Sequence, residues 1–149
     1  MQLLSPAFKN QGEIPSKYTC EGEDMSPPLE IKDIPPQTKS LVLIMDDPDA
    51  VKPAGKVWDH WIVYNISPMM TTLAEGAPLG GTLGQGTRKQ GYQGPCPPDG
   101  LHHYHFKLYA LDTLLKLPPG ATKDIIEKEM HGHILAKTEL MGTYEKMKK

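Results

Sequence analysis

The chain has 149 residues, of which 38% are hydrophobic and 23% charged; this suits one globular domain over residues 1–149 and excludes general disorder. A net charge of −2 supplies no basic stripe to neutralise phosphates, so no nucleic-acid partner is expected. No apolar run approaches the roughly 18 residues of a membrane span, and 14 glycines with 15 prolines exclude a helical bundle in favour of a turn-rich chain.

The opening Met1-Gln2-Leu3-Leu4-Ser5-Pro6 lacks the basic flank and apolar stretch of a signal peptide, so a cytoplasmic location is expected. Two cysteines, Cys20 and Cys96, are too few for a disulfide scaffold or a four-cysteine zinc site. In a reducing compartment such residues are ordinarily free thiols. The first strong strand is Ser40–Met45, a short apolar run between Pro35-Pro36 and Asp46-Asp47-Pro48-Asp49. Its continuous hydrophobicity predicts burial on both faces and a central place in a sheet.

A loop from Asp49 to Lys56 leads to a second strand, Val57–Ile66, closed by Pro68. The two-residue period places Trp58, His60, Ile62, Tyr64 and Ile66 on one face. Residues 67–100 are dominated by glycine, proline and small polar residues. So long a segment of little regular structure inside a domain is usually functional when strong strands flank it. The third strand, Leu101–Leu111, alternates an apolar face of His102, Tyr104, Phe106, Leu108 and Ala110 with a polar face of His103, His105, Lys107 and Tyr109. The apolar face is expected inward, with His102 and Tyr104 at its mouth beside the glycine–proline segment.

After Pro118-Pro119-Gly120, Thr122 is placed to cap a helix, Asp124 suits its positive end, and Ile126, Met130 and Ile134 form its stripe. The alternation from Lys137 to Tyr144 predicts a last strand. Several strands, one modest helix and abundant turns point to a mainly β protein, a sandwich with one or two short helices near the C-terminus.

Three clusters carry polar chemistry: Asp46-Asp47-Pro48-Asp49, Trp58-Asp59-His60-Trp61, and the stretch from Gly91 through Gly94-Pro95-Cys96-Pro97-Pro98-Asp99 to His102-His103-Tyr104. Carboxylates, imidazoles and a phenol on neighbouring strands can converge on one pocket and bind an anion through N–H and O–H donors. Each cluster also has a plainer reading. Asp-Pro-Asp is a turn signal, His60 between two tryptophans suits a hydrogen-bonded core histidine, and His103 with His105 suits a solvated face.

Metal binding is not expected, since no His-Glu-x-x-His helix or tight Cys/His spacing is present. A Cys96–His102 nucleophile pair is an option, but Cys96 is hemmed in by prolines. There is neither a Gly-x-Ser-x-Gly elbow nor a P-loop.

Asp47-Pro48-Asp49-Ala50, Trp58-x-His60-Trp61-Ile62-Val63-Tyr64-Asn65 and Gly94-Pro95-Cys96-Pro97-Pro98 followed by His102-His103-Tyr104 together resemble the phosphatidylethanolamine-binding protein family, which includes the Raf kinase inhibitor protein. The segment from Ile14-Pro15 through Tyr18-Thr19-Cys20-Glu21-Gly22 to Ser26-Pro27-Pro28-Leu29, and Gly132-His133-Ile134-Leu135-Ala136 with Gly142-Thr143-Tyr144, resemble its compact bacterial and archaeal branch. The resemblance implies an antiparallel, Greek-key β-sandwich with a small anion pocket at one end and no cofactor. By motif position the ligand-binding residues would be Asp47, Asp49, Trp58, His60, Gly94, Pro95, His102 and Tyr104.

It also implies that Cys20 and Cys96 lie close, as a disulfide or as packed thiols. The sequence departs from many relatives at Val51 after the Asp-Pro-Asp-Ala motif and at Trp61. The long C-terminal helix of eukaryotic relatives is not expected after Tyr144, which weakens the case for a kinase-inhibitor role.

The expected function is non-enzymatic binding of a small phosphorylated or carboxylated head group, with modulation of a protein kinase or a protease as its output and a homodimer as an option. The rival readings are a hydrolase or lyase using the Asp/His cluster for acid–base work, and a protease inhibitor acting through an exposed loop at residues 76–93.

Overall fold

The strand Ser40–Asp47 is buried along its whole length, as its unbroken apolar run predicts. In the computed structural model, which describes residues 1–147, it is the fourth strand in chain order. The expected domain also took in Lys148 and Lys149, which lie outside the described residues.

The strands are β1 (Gln2–Leu4), β2 (Gly12–Glu13), β3 (Leu29–Lys32), β4 (Ser40–Asp47), β5 (Trp58–Ile66), β6 (Thr72–Leu73), β7 (Thr82–Leu83), β8 (His102–Leu111) and β9 (Ile134–Tyr144). Two short helices, α1 (Val51–Ala54) and α2 (Lys123–Met130), accompany them. The larger sheet has the order β2-β9-β8-β4-β5-β7 and the smaller β1-β3-β6. Pairing is antiparallel except between β2 and β9.

β4 sits between β5 and β8. One of its faces, with Leu41, Leu43 and Met45, meets Leu3, Leu29, Ile31 and Leu73 of the smaller sheet. The other, with Val42 and Ile44, packs beneath Ile126 and Met130 of α2 and Leu115. Both faces are dry, which is why the strand carries no polar residue between Ser40 and Asp46.

The single face predicted for Trp58, His60, Ile62, Tyr64 and Ile66 is corrected by two register slips in β5. Met45 faces Trp61 but Asp46 faces Asp59, so His60 is an extra residue in the ladder. A second slip follows Val63, where Leu41 faces Ile66 and Asn65 takes a φ of 56°. Ile62 and Tyr64 therefore pack under α2, whereas Trp61, Val63 and Ile66 lie between the sheets. A bulge reverses which face each later side chain meets, and periodicity alone does not reveal it.

The helix predicted after Thr122 stops at Met130. Ile126 and Met130 are its buried stripe, while the expected third member, Ile134, is exposed and opens β9. Gly132, at a φ of 83°, turns the chain between them. Thr122 holds the first turn through its carbonyl, which accepts from Ile126 N–H, and its side chain makes no cap bond. Of the two short helices, α2 lies towards the C-terminus and α1 lies in the loop expected after β4. Residues 67–100 contain β6, β7 and a bridge between Gln85 and Gln90.

Cys20 and Cys96 form a disulfide with their Cα atoms 5.5 Å apart, which corrects the expectation of free thiols. The backbone ladder explains the approach: Cys20 N–H donates to Pro95 O at 3.1 Å. The bond also closes off the Cys96–His102 nucleophile pair, because a disulfide sulfur offers no thiolate. Among the described residues no helix is long and apolar enough to cross a membrane.

Candidate functional site

At the C-terminal end of β4 a cavity of about 230 Å³ opens to the surface. Its polar floor is Asp47, His60, His102 and Tyr104, and its walls include Ala50, Pro53, Trp58, Pro97 and Pro98. The strand ends bring the floor together. β4 contributes Asp47, the bulge in β5 turns His60 towards the cavity, and the inward face of β8 supplies His102 and Tyr104. The rings of His60 and Tyr104 meet edge to face at 5.2 Å, and those of His102 and Tyr104 lie 6.4 Å apart.

Asp47 spends both carboxylate oxygens inside the protein. Oδ1 accepts from Asp49 N–H at 2.9 Å and caps the turn Pro48–Ala50. Oδ2 lies 2.6 Å from His102 Nδ1. On the other side of that ring, Nε2 lies 3.0 Å from Asp99 Oδ1. Carboxylates only accept, so both ring nitrogens carry protons and His102 is an imidazolium. Burial opposes that charge, but Asp47 and Asp99 outweigh it and raise the pKa of His102.

His60 is in the opposite state. Its Nδ1 donates to Gln93 O at 2.7 Å, which fixes the tautomer, because a carbonyl only accepts. Burial pushes its pKa down, against smaller opposing effects from the Gln93 carbonyl and Asp47. His60 is therefore neutral near pH 7, and Nε2 keeps its lone pair.

Tyr104 is wholly buried, and its hydroxyl has no hydrogen-bond partner of normal geometry among the described residues. The Cys96 backbone amide lies close enough to favour the phenolate slightly, but burial and the charges of Asp47 and Asp49 prevail and raise the pKa far above its ordinary value. The phenol thus stays protonated, a donor with nothing to donate to, which costs on the order of 1–3 kcal/mol unless another group supplies an acceptor.

Asp47, Trp58, His60, His102 and Tyr104 all line this cavity, but three other expected residues do not. Asp49 faces a neighbouring cleft, where its Oδ2 takes 2.7 Å hydrogen bonds from both the backbone N–H and Nδ1 of His103. These bonds outweigh burial and hold its carboxyl below the ordinary pKa. Gly94 donates its N–H to Asp24 Oδ1 at 2.8 Å. A Cβ there would lie 2.2 Å from that oxygen and 2.4 Å from Tyr18 O, so only glycine fits. Pro95 accepts from Cys20. Gly94 and Pro95 thus anchor the pocket loop to the N-terminal segment.

Two residues of the third polar cluster were not named in the expected ligand-binding set. Gln93 accepts from Trp58 Nε1 at 2.9 Å and from His60 Nδ1, so it orients both side chains. Asp99, in the turn after Pro97-Pro98, holds the outer nitrogen of His102 while its side chain stays 62% exposed. Both lie in that cluster, but the motif positions singled out neither Gln93 nor Asp99. Among the described residues no group of three His, Cys, Asp or Glu side chains is arranged to hold a metal ion.

A family model described as phosphatidylethanolamine-binding protein matches residues 4–145. A UPF0098 protein of Methanothermobacter thermautotrophicus is 48% identical over 98% of this chain and 99% of its own length. Another, from Chlamydia trachomatis, is 51% identical over 98% and 99%. That name carries no activity. The crystal structure of CT736, a phosphatidylethanolamine-binding protein homologue of Chlamydia trachomatis, superposes with a TM-score of 0.93 at 50% identity, covering 98% of this chain and 97% of that one. YbcL of E. coli, described as a member of the mammalian family, superposes with a TM-score of 0.87 at 30% identity, covering 98% of both chains.

Proposed function

We propose that this chain, which belongs to the phosphatidylethanolamine-binding protein family, is a non-enzymatic binding protein for a small phosphorylated or carboxylated head group. The observation that carries the reading is the buried Tyr104 hydroxyl at the floor of an open cavity. An anionic oxygen there accepts the O–H that the protein leaves unpaired. A protonated ligand oxygen donates to the Nε2 lone pair of His60, so a monoanion suits the floor better than a dianion. The apolar walls suit the carbon part of the ligand, and the volume is below the usual range for drug-sized molecules.

The acid–base enzyme reading is less well supported. Asp47 and His102 already spend their hydrogen-bonding atoms on protein groups, and Cys96 is bonded to Cys20. Modulation of a kinase or protease and a homodimer belong to the same proposal through the family resemblance, and cytoplasmic residence belongs to it as a reading of the sequence alone.

Calorimetric titration with O-phosphoethanolamine tests it. Wild-type protein is expected to bind at one saturable site. Tyr104→Phe is expected to lose about tenfold in affinity, or about 1.4 kcal/mol, while remaining folded by circular dichroism. Unchanged affinity in Tyr104→Phe removes the phenol from the site. Turnover of a phosphoester panel that His60→Ala abolishes favours the enzyme instead.

A further inference from the structure

The stretch Gly76-Ala77-Pro78-Leu79-Gly80-Gly81 carries little side chain, and only Leu79 in it is buried. It leads into β7, which covers β5 only at Val63 and Tyr64. So sparse a cover leaves a cleft of about 460 Å³, with Ser26, Trp61, Val63, Leu79, Leu83 and Tyr92 among its walls. It shares no lining residue with the cavity at the end of β4, and none of its lining residues is charged. Chain neighbours divide between the two: His60 and Gln93 line the cavity, Trp61 and Tyr92 the cleft.

Two of these walls hold donors with nothing to bond. Trp61 is 4% exposed and Ser26 6%. Among the described residues, neither the Trp61 indole N–H nor the Ser26 hydroxyl has a hydrogen-bond partner. Neither atom is sealed from solvent, as the Tyr104 hydroxyl is, so both open at the cleft their residues line. Ser26 is anchored by its carbonyl, which accepts from Gly76 N–H at 2.9 Å. Trp61 packs edge to face with Tyr92 at 5.2 Å, and Tyr92 spends its own hydroxyl on Tyr18 O at 2.7 Å. Side chains packed this deeply ordinarily have their polar atoms bonded, tryptophan above all.

We propose that this cleft is a second binding site, for a small uncharged apolar molecule bearing a carbonyl oxygen. The carbonyl accepts from the Trp61 indole N–H or the Ser26 hydroxyl, and the apolar body lies against Val63, Leu79 and Leu83. A charged ligand is disfavoured, because it would give up its hydration with no opposite charge in the walls. The volume falls within the usual range for ligand pockets. The site is independent of the anion-binding reading.

Nitrogen–proton NMR of isotope-labelled protein tests it with two probes, acetanilide and N-ethylaniline. Both carry a phenyl ring and a two-carbon group on nitrogen, and only acetanilide has the carbonyl. Acetanilide is expected to shift the Trp61 indole signal saturably, with a Kd on the order of millimolar. The Trp58 indole, already bonded to Gln93, should stay unmoved. N-ethylaniline is expected to bind about tenfold more weakly. Trp61→Phe keeps a ring but removes the donor, and should bring the two probes to within about threefold, followed at the Leu83 amide. Equal binding of the probes to wild type overturns the carbonyl assignment, and that comparison needs no variant to fold. No saturable shift at Trp61 with tens of millimolar acetanilide, or shifts at Trp58 in its place, overturns the site.

Discussion

Asp46 and Asp47 are consecutive residues of β4, yet they serve opposite faces of the sheet. Asp46 is 3% exposed and pairs with Lys107 at 3.0 Å and Lys123 at 3.4 Å. Lys123 also reaches Asp59 at 2.7 Å. Burial works against the Lys123 charge, but Asp59 and Asp46 outweigh it and raise its pKa. Each charge in this cluster has an opposite charge within 4 Å, and Lys123, on the first turn of α2, ties the helix to the sheet. On the other face, Asp47 holds an imidazolium beside a neutral histidine and an unpaired phenol. The comparison teaches that a crowd of charges need not be a site. What marks the pocket is hydrogen-bonding capacity left over after the protein has used what it needs.

The largest expected effect comes from cutting the link between the pocket loop and the N-terminal segment. Cys20 and Cys96 are 76 residues apart in sequence, and a cross-link of that span stabilises by about 4 kcal/mol in the chain-entropy account. The double variant Cys20→Ser, Cys96→Ser is expected to unfold at lower denaturant by that order. Its ligand affinity should fall too, because Cys96 and its neighbours wall the cavity.

Next in size is Asp46→Ala, which strands half-buried Lys123 with one partner. Because Lys107 can turn to solvent, the loss should be about 2 kcal/mol, less than for a fully buried pair. Affinity for O-phosphoethanolamine should stay within about twofold of wild type. A large loss of affinity would erase the distinction between the two faces.

The smallest effect is one of pH. His102 has a raised folded-state pKa, so its contribution to stability is complete below the unfolded value near 6.5 and is lost as pH rises through the folded value. His60 has a lowered one, so its contribution is present above about 6.5 and is lost as pH falls through the folded value. Stability curves for His102→Gln and His60→Gln should therefore differ from wild type with opposite slopes across neutrality. Parallel differences would contradict the assigned protonation states.

Much of this was legible in the sequence because it depends on local pattern. β4 showed its two dry faces as an unbroken apolar run, and β8 showed His102 and Tyr104 inward by strict alternation. Three features depend on geometry that pattern does not carry. The bulge at His60 is a matter of register against β4. The strands of the smaller sheet are two to four residues long, too short for a period to declare itself. Asp99 reads as a turn residue after two prolines, and only the folded turn brings it to His102. The motif resemblance named Gly94 and Pro95 with the pocket, whereas here their backbone groups are spent on Asp24 and Cys20.

The central claim is that unspent donors, rather than net positive charge, choose where an anion binds. Chemical-shift mapping of isotope-labelled protein during titration with O-phosphoethanolamine tests it most directly. The account predicts saturable shifts at the Trp58 indole, His60, the Gln93 amide and Tyr104, with Lys107 and Lys123 unmoved. Shifts centred on Lys107 and Lys123, or none at the pocket at millimolar ligand, would contradict it.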